Sequence, residues 1–140
     1  SKFTKIAIEK FNKIIKTNPN SNYAKDASYK LEYLNNYLAR KEFEVGMYYL
    51  KNNAPSPAIN RFSVVIRDYQ GSSIIPQTLY RMYEAFEMLK LEDKSDQTYL
   101  ILKYNFPKSK WTEEITDKKN NIIEKPGYFK NIMNKMITIF

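Results

Sequence analysis

Apolar residues along this chain recur every three or four positions, the spacing that gathers them on one face of an α-helix. Over residues 3–19 the stripe is Phe3, Ile6, Ala7, Phe11, Ile14 and Ile15, closed by turn-forming side chains and Pro19. Residues 22–53 carry Tyr23, Ala27, Leu31, Leu34 and Leu38, then Phe43, Met47, Tyr48 and Leu50. No Gly or Pro separates these two stripes, so one long helix and two shorter ones both fit. Asn52-Asn53-Ala54-Pro55-Ser56-Pro57 breaks the pattern, and Ala58 to Tyr69 resumes it with Ile59, Phe62, Val65 and Ile66. After Gln70-Gly71-Ser72-Ser73, Pro76 fits the first turn of a helix with Leu79, Met82, Tyr83, Phe86 and Leu89 inward. Ser95 is placed to cap a helix running to Asn105, with Tyr99, Leu100 and Leu102 apolar. Thr112 is placed to cap a helix over 112–125, with Glu113, Glu114 and Asp117 near its positive end. Beyond Pro126-Gly127, residues 128–140 form a last amphipathic segment with Tyr128, Phe129, Ile132, Met133, Met136, Ile137 and Phe140. No segment alternates with the period of a strand. The pattern predicts an all-α fold of about seven or eight helices.

The stripes repeat one another. Ala7-Ile-Glu-Lys-Phe11 corresponds to Ala58-Ile-Asn-Arg-Phe62 at an offset of 51 residues, and Ser95, Tyr99 and Leu102 repeat it 37 residues later. In 39–72, Val45, Gly46 and Tyr49, followed by Ala58 and Phe62, occupy the interlocking small and large positions of a tetratricopeptide (TPR) helix pair. In 76–109, Met82, Tyr83, Phe86, Ser95, Tyr99, Leu102 and Pro107 fill the same slots, with Tyr83 bulky where Gly is usual. Such a pair cannot bury its apolar face alone, so pairs stack. The expected architecture is a TPR-like α-solenoid of antiparallel helix pairs over 1–125, with 128–140 as a capping or docking segment. The 3–19 stripe supplies only the second helix of a repeat. The chain is therefore expected to be a piece of a longer protein.

Composition narrows the function. There is no cysteine and no histidine, which excludes thiol nucleophiles, disulfides, Cys/His zinc sites and Ser-His-Asp or Cys-His pairs. The carboxylates offer no acid/base pair: Glu42 and Glu44 point to different faces, and Glu84 and Glu87 read as solvated. No enzymatic activity and no cofactor are expected. The formal charge of +8 invites a nucleic-acid partner, but Lys, Ile, Asn, Tyr and Phe together make 68 of 140 residues. That bias reads as an AT-rich genome. Only 4 of the 23 cations are arginine, the residue suited to bidentate phosphate contacts, and the longest run of adjacent cations is two. No nucleic-acid partner is expected. An RNA-binding helical repeat would need this charge to be gathered in a patch.

A finer resemblance rests on Asn20-Ser-Asn-Tyr-Ala-Lys-Asp-Ala27, Leu31-Glu-Tyr-Leu34, Leu38-Ala-Arg-Lys-Glu-Phe-Glu-Val45, Tyr48-Tyr49, Ala58-Ile-Asn-Arg61 and Val65-Ile-Arg-Asp-Tyr69. These motifs, in this order over residues 4–110, resemble the C-terminal portion of the BamD family, TPR lipoproteins of the outer-membrane β-barrel assembly machinery. Pro55-Ser-Pro57 departs from the glycine-containing turn usual there, and Gln70-Gly71 replaces a Pro-Asp-like turn. The resemblance implies a non-catalytic scaffold at the periplasmic face of the outer membrane. It implies docking onto the POTRA domains of BamA, contact with the other assembly lipoproteins, and a role with unfolded outer-membrane proteins. The family's membrane contact is a lipid anchor on an N-terminal cysteine, which this chain lacks. The family's BamA-contacting arginine stands in an Asn-Arg pair early in a repeat's second helix, which places it at Asn60-Arg61. Arg67, Asp68 and Tyr48 complete the expected partner-binding set. Read from the residues alone, Arg61 is either a solvated arginine or an interface anchor, and Arg67 also suits the negative end of its own helix. Tyr48 is expected half exposed. The alternative reading is a generic TPR adaptor that holds a peptide in its concave groove.

Overall fold

The computed structural model describes residues 1–123, which form six α-helices and no strand: α1 Lys2–Thr17, α2 Asn22–Lys51, α3 Pro55–Asp68, α4 Ile75–Met88, α5 Glu92–Asn105 and α6 Lys110–Ile123. The all-α, TPR-like architecture holds. Two differences account for the helix count. Residues 22–51 form one continuous 30-residue helix, about 45 Å long at 1.5 Å per residue. The expected segment 128–140 lies outside the described residues.

Helix starts are set either by a serine that supplies an acceptor or by a proline that needs none, except at α5. The Ser21 hydroxyl accepts from the Ala24 amide at 3.0 Å and starts α2. Prolines open α3 and α4, where a missing N–H costs nothing. Asn53 after α2 and Lys90 after α4 turn the chain with positive φ of 56° and 57°. Three expected positions differ. Ser95 does not cap α5, which starts at Glu92; it lies one turn inside and almost fully buried. There it donates to Glu87 Oε1 across the α4–α5 seam, and acidic Glu92 and Asp93 occupy the first turn instead. Thr112 likewise lies inside α6, buried, donating to the Phe106 carbonyl at 2.6 Å. The Ser109 hydroxyl accepts from the Trp111 amide at 3.3 Å in the position expected of Thr112. Leu89, expected inward, is 37% exposed because α4 ends at Met88 and the chain turns there.

Neighbouring helices pack in sequence, α1 on α2, α2 on α3, α3 on α4 and α4 on α5, and α6 closes against α4 and α5. The seam between α2 and α3 is set by Gly46. Phe62, fully buried, lies against the bare backbone at Gly46, and its ring sits 5.7 Å from that of Phe43. Ala39 and Ala58 are buried completely, so small residues on both helices permit the close approach. The core continues through Val65, Leu79, Tyr83, Leu102 and Ile115. The turn between α3 and α4 is tied back to the middle of α2. Asn36 Oδ1 accepts from the Ser72 hydroxyl at 2.8 Å and from the Ser73 amide at 3.0 Å.

The last helix is held by an aromatic and ionic clamp. The buried Tyr80 hydroxyl donates to Glu114 Oε1 at 2.7 Å and accepts from Lys118 Nζ at 2.8 Å. Its ring lies 4.9 Å from that of Trp111, with the Arg81 guanidinium over both. Arg81 also binds Glu84 at 2.7 Å, so Glu84 is paired rather than simply solvated. Burial, then the bond to Glu114 and the charges of Glu84 and Glu114, push the Tyr80 phenol well above the usual tyrosine range.

Two consequences are measurable. A Cβ at position 46 would lie 2.7 Å from Cδ1 and 3.1 Å from Cζ of Phe62. Overpacking costs about 1–3 kcal/mol, partly offset by the roughly 1 kcal/mol better helix propensity of alanine. Gly46→Ala should therefore lower urea-unfolding stability by about 1 kcal/mol, and Phe62→Leu in the same chain should cost less than the two changes summed. Because the folded pKa of Tyr80 is raised above its unfolded value of about 10, its contribution is complete below that pH and lost as pH rises through the folded value. Stability should fall above about pH 10, and Tyr80→Phe should flatten that part of the curve.

Candidate functional site

The α2–α3 seam that buries Phe43 and Phe62 also places the residues just before them at the surface. Glu42 precedes Phe43 on α2, and Arg61 precedes Phe62 on α3. Interlocking of the two rings brings Arg61 Nη1 to 3.2 Å from Glu42 Oε2. The side chains are 46% and 29% exposed, so the pair is wet on one side. Arg61 and Asn60 then line an open groove of about 310 Å³ with Tyr49, Pro57 and Val64. The groove combines an apolar floor with an arginine at its edge. That arrangement suits a partner loop carrying an apolar side chain and a carboxylate.

The other expected residues, Tyr48, Arg67 and Asp68, do not line this groove. Tyr48 is 65% exposed, and its ring meets Tyr49 edge-on at 5.7 Å. Arg67 and Asp68 pair with each other at the end of α3, Nε to Oδ1 at 2.8 Å and Nη2 to Oδ2 at 3.1 Å. The hydrogen bond holds the Asp68 carboxyl below its usual range and raises Arg67, so both remain charged and mutually neutralised. Tyr69 beside them is pushed up by burial and by the charges of Glu42 and Asp68. Among the described residues, no three His, Cys, Asp or Glu side chains are placed to hold a metal ion.

Glu42 is the residue that sequence reasoning missed. Its separation from Glu44 excluded an acid/base pair but said nothing of a partner 19 residues away. The available signal was positional: a carboxylate and an arginine each stand one residue before an interlocking aromatic. Glu87 is exposed as expected, and it also accepts a hydrogen bond from the hydroxyl of buried Ser95.

Comparison with known proteins identifies the family. Residues 1–101 match a family model described as outer membrane lipoprotein, YfiO. The chain is 41% identical over 108 residues to the outer membrane protein assembly factor BamD of Rickettsia prowazekii (strain Madrid E), covering 77% of this chain and 43% of that protein. It is 36% identical over 108 residues to BamD of Caulobacter vibrioides, covering 77% of this chain and 35% of that protein. With BamD of Neisseria gonorrhoeae the identity is 32% over 103 residues, covering 74% and 39%. The chain thus spans about two-fifths of the length of the curated relatives it matches. Family model and relatives agree, and this chain belongs to the BamD (YfiO) family of outer membrane lipoproteins.

Proposed function

We propose that this chain is a docking module of an outer-membrane protein assembly factor, binding the periplasmic POTRA domains of BamA through the Arg61 groove. It acts as a non-catalytic scaffold on the periplasmic face of the outer membrane, in a protein that is lipid-anchored when whole. The observation that carries this reading is the position of Arg61. Its backbone is fixed by the buried Phe62 beside it, while its guanidinium stays half exposed at the edge of a groove lined by Asn60, Tyr49 and Val64. A planar guanidinium held this way can take a carboxylate bidentately, a bond that gives orientation as well as attraction. The relatives' shared name, outer membrane protein assembly factor, supports the same reading. Asn60 contributes as a second polar group in the groove, and Tyr48 as an exposed ring edge-on to Tyr49, which lines it. Arg67 and Asp68 frame the end of the same helix as a neutral pair.

Arg61→Glu should weaken binding of purified BamA POTRA domains by at least about thirtyfold, equivalent to about 2 kcal/mol. Circular dichroism should stay unchanged, because the side chain is at the surface. Arg61→Lys should retain part of the affinity. Equal affinity of the wild-type and Arg61→Glu chains would sink the assignment of Arg61. If wild-type chain captures extended peptides and no POTRA domain, the generic TPR adaptor is the correct reading.

A further inference from the structure

Arg61 is not free in the unbound chain. Its guanidinium already meets Glu42, the one ion pair between α2 and α3 among the described residues. We infer that Glu42 is an internal counter-ion that occupies Arg61 in the free chain and that a docking carboxylate must displace. The inference rests on the proposed docking role of Arg61 and adds a competition to it.

The geometry favours a latch that can open. Glu42 engages Arg61 through one nitrogen at 3.2 Å, whereas a guanidinium offers five N–H donors and can grip a carboxylate with two parallel bonds. Both groups are partly solvated, so the internal pair is screened and weak. An incoming carboxylate can supply the bidentate geometry that Glu42 does not. It must also approach the negative charge of Glu42, which opposes it.

The neighbouring charges do not neutralise Glu42 in place of Arg61. Lys41, the next residue back, lies over the Tyr37 ring at 5.4 Å. Arg67 is held by Asp68. Tyr69 is a neutral phenol at ordinary pH, and burial, then the Glu42 charge, raise its pKa further, so it brings no charge to Glu42.

The latch is imposed by the core rather than by its own strength. Phe43 and Phe62 pack against each other at 5.7 Å and hold α2 and α3 in register. Glu42 and Arg61, one residue earlier on each helix, are thereby kept in reach of each other. The pair re-forms whenever the partner leaves, and Arg61 is shielded from casual anions in between.

The experiment uses Glu42→Gln, which keeps the side-chain shape and removes the charge. Titrated with BamA POTRA domains by calorimetry, the variant should bind more tightly than the wild-type chain by up to about fivefold, or about 1 kcal/mol. Equal or weaker binding would overturn the inference, because Glu42 would then be neutral to docking or would position Arg61 for it. A second measurement needs no partner. In nitrogen-15 NMR of the free chain, the Arg61 guanidinium, assigned by its loss in Arg61→Lys, should rotate more slowly in the wild-type chain than in Glu42→Gln. Identical rotation in both would also overturn the latch. If the wild-type chain binds no POTRA domain, the docking reading falls, and the NMR comparison alone decides whether Glu42 holds Arg61.

Discussion

A phenyl ring seated on a bare stretch of helix backbone organises this molecule. Phe62 fills the space that any side chain at position 46 would need, and Ala39 and Ala58 keep the rest of the seam thin. The α2–α3 approach is therefore closer than large residues would permit, and the two helices can meet in only one register. Interiors packed to this density do not deform smoothly, so a register set at one ring is transmitted along both helices. The surface pair Glu42–Arg61 and the groove beside it are consequences of that register.

The same logic is repeated at the other seams with different chemistry. Between α4 and α5, buried Ser95 provides the small residue and also bonds Glu87, so close approach and polar satisfaction come from one side chain. Between α4 and α6, Tyr80 and Trp111 provide the bulk, and Glu114, Lys118 and Arg81 satisfy the polar edge. Asn36 ties the α3–α4 turn to the long helix with two bonds of ordinary length. The α2–α3, α4–α5 and α4–α6 seams thus each combine an aromatic or small-residue contact with a polar tie, alongside one core that runs from α2 to α6. Among the described residues α1 packs only on α2, and Phe3, Ile6 and Ile14 are exposed on it.

Much of this was legible beforehand, because helical periodicity and turn chemistry are local. The stripes containing Phe11, Phe62 and Leu79 all lie in helices, and Pro76 stands in the first turn of α4 as expected, whereas Pro55 and Pro57, read as part of a break before Ala58, lie in the first turn of α3. The errors fell at helix ends. Ser95 and Thr112 are good caps in isolation, yet each is buried one turn or less inside its helix, where its hydroxyl serves a neighbouring segment. Capping preference is worth only about 1 kcal/mol, and burial against a second helix outweighs it. The pairing of Glu42 with Arg61 was invisible for a related reason: each residue looks solvated on its own helix, and only the seam brings them together.

The division between sequence and structure follows the range of the forces involved. Apolar periodicity and proline placement act within one or two turns of helix, and the Gly-Tyr-Ala-Phe spacing is a pattern in the chain itself, so the amino-acid sequence alone determined that the chain is all-α, where most of its polar breaks fall and which family it resembles. Continuity of α2 through residues 38–43 and the burial of Ser95 and Thr112 depend on what packs alongside. So does the capture of Arg61 by Glu42, which joins residues 19 apart. Those features were decided by the tertiary structure, because they arise from excluded volume between helices and from charges that become neighbours only after the helices dock.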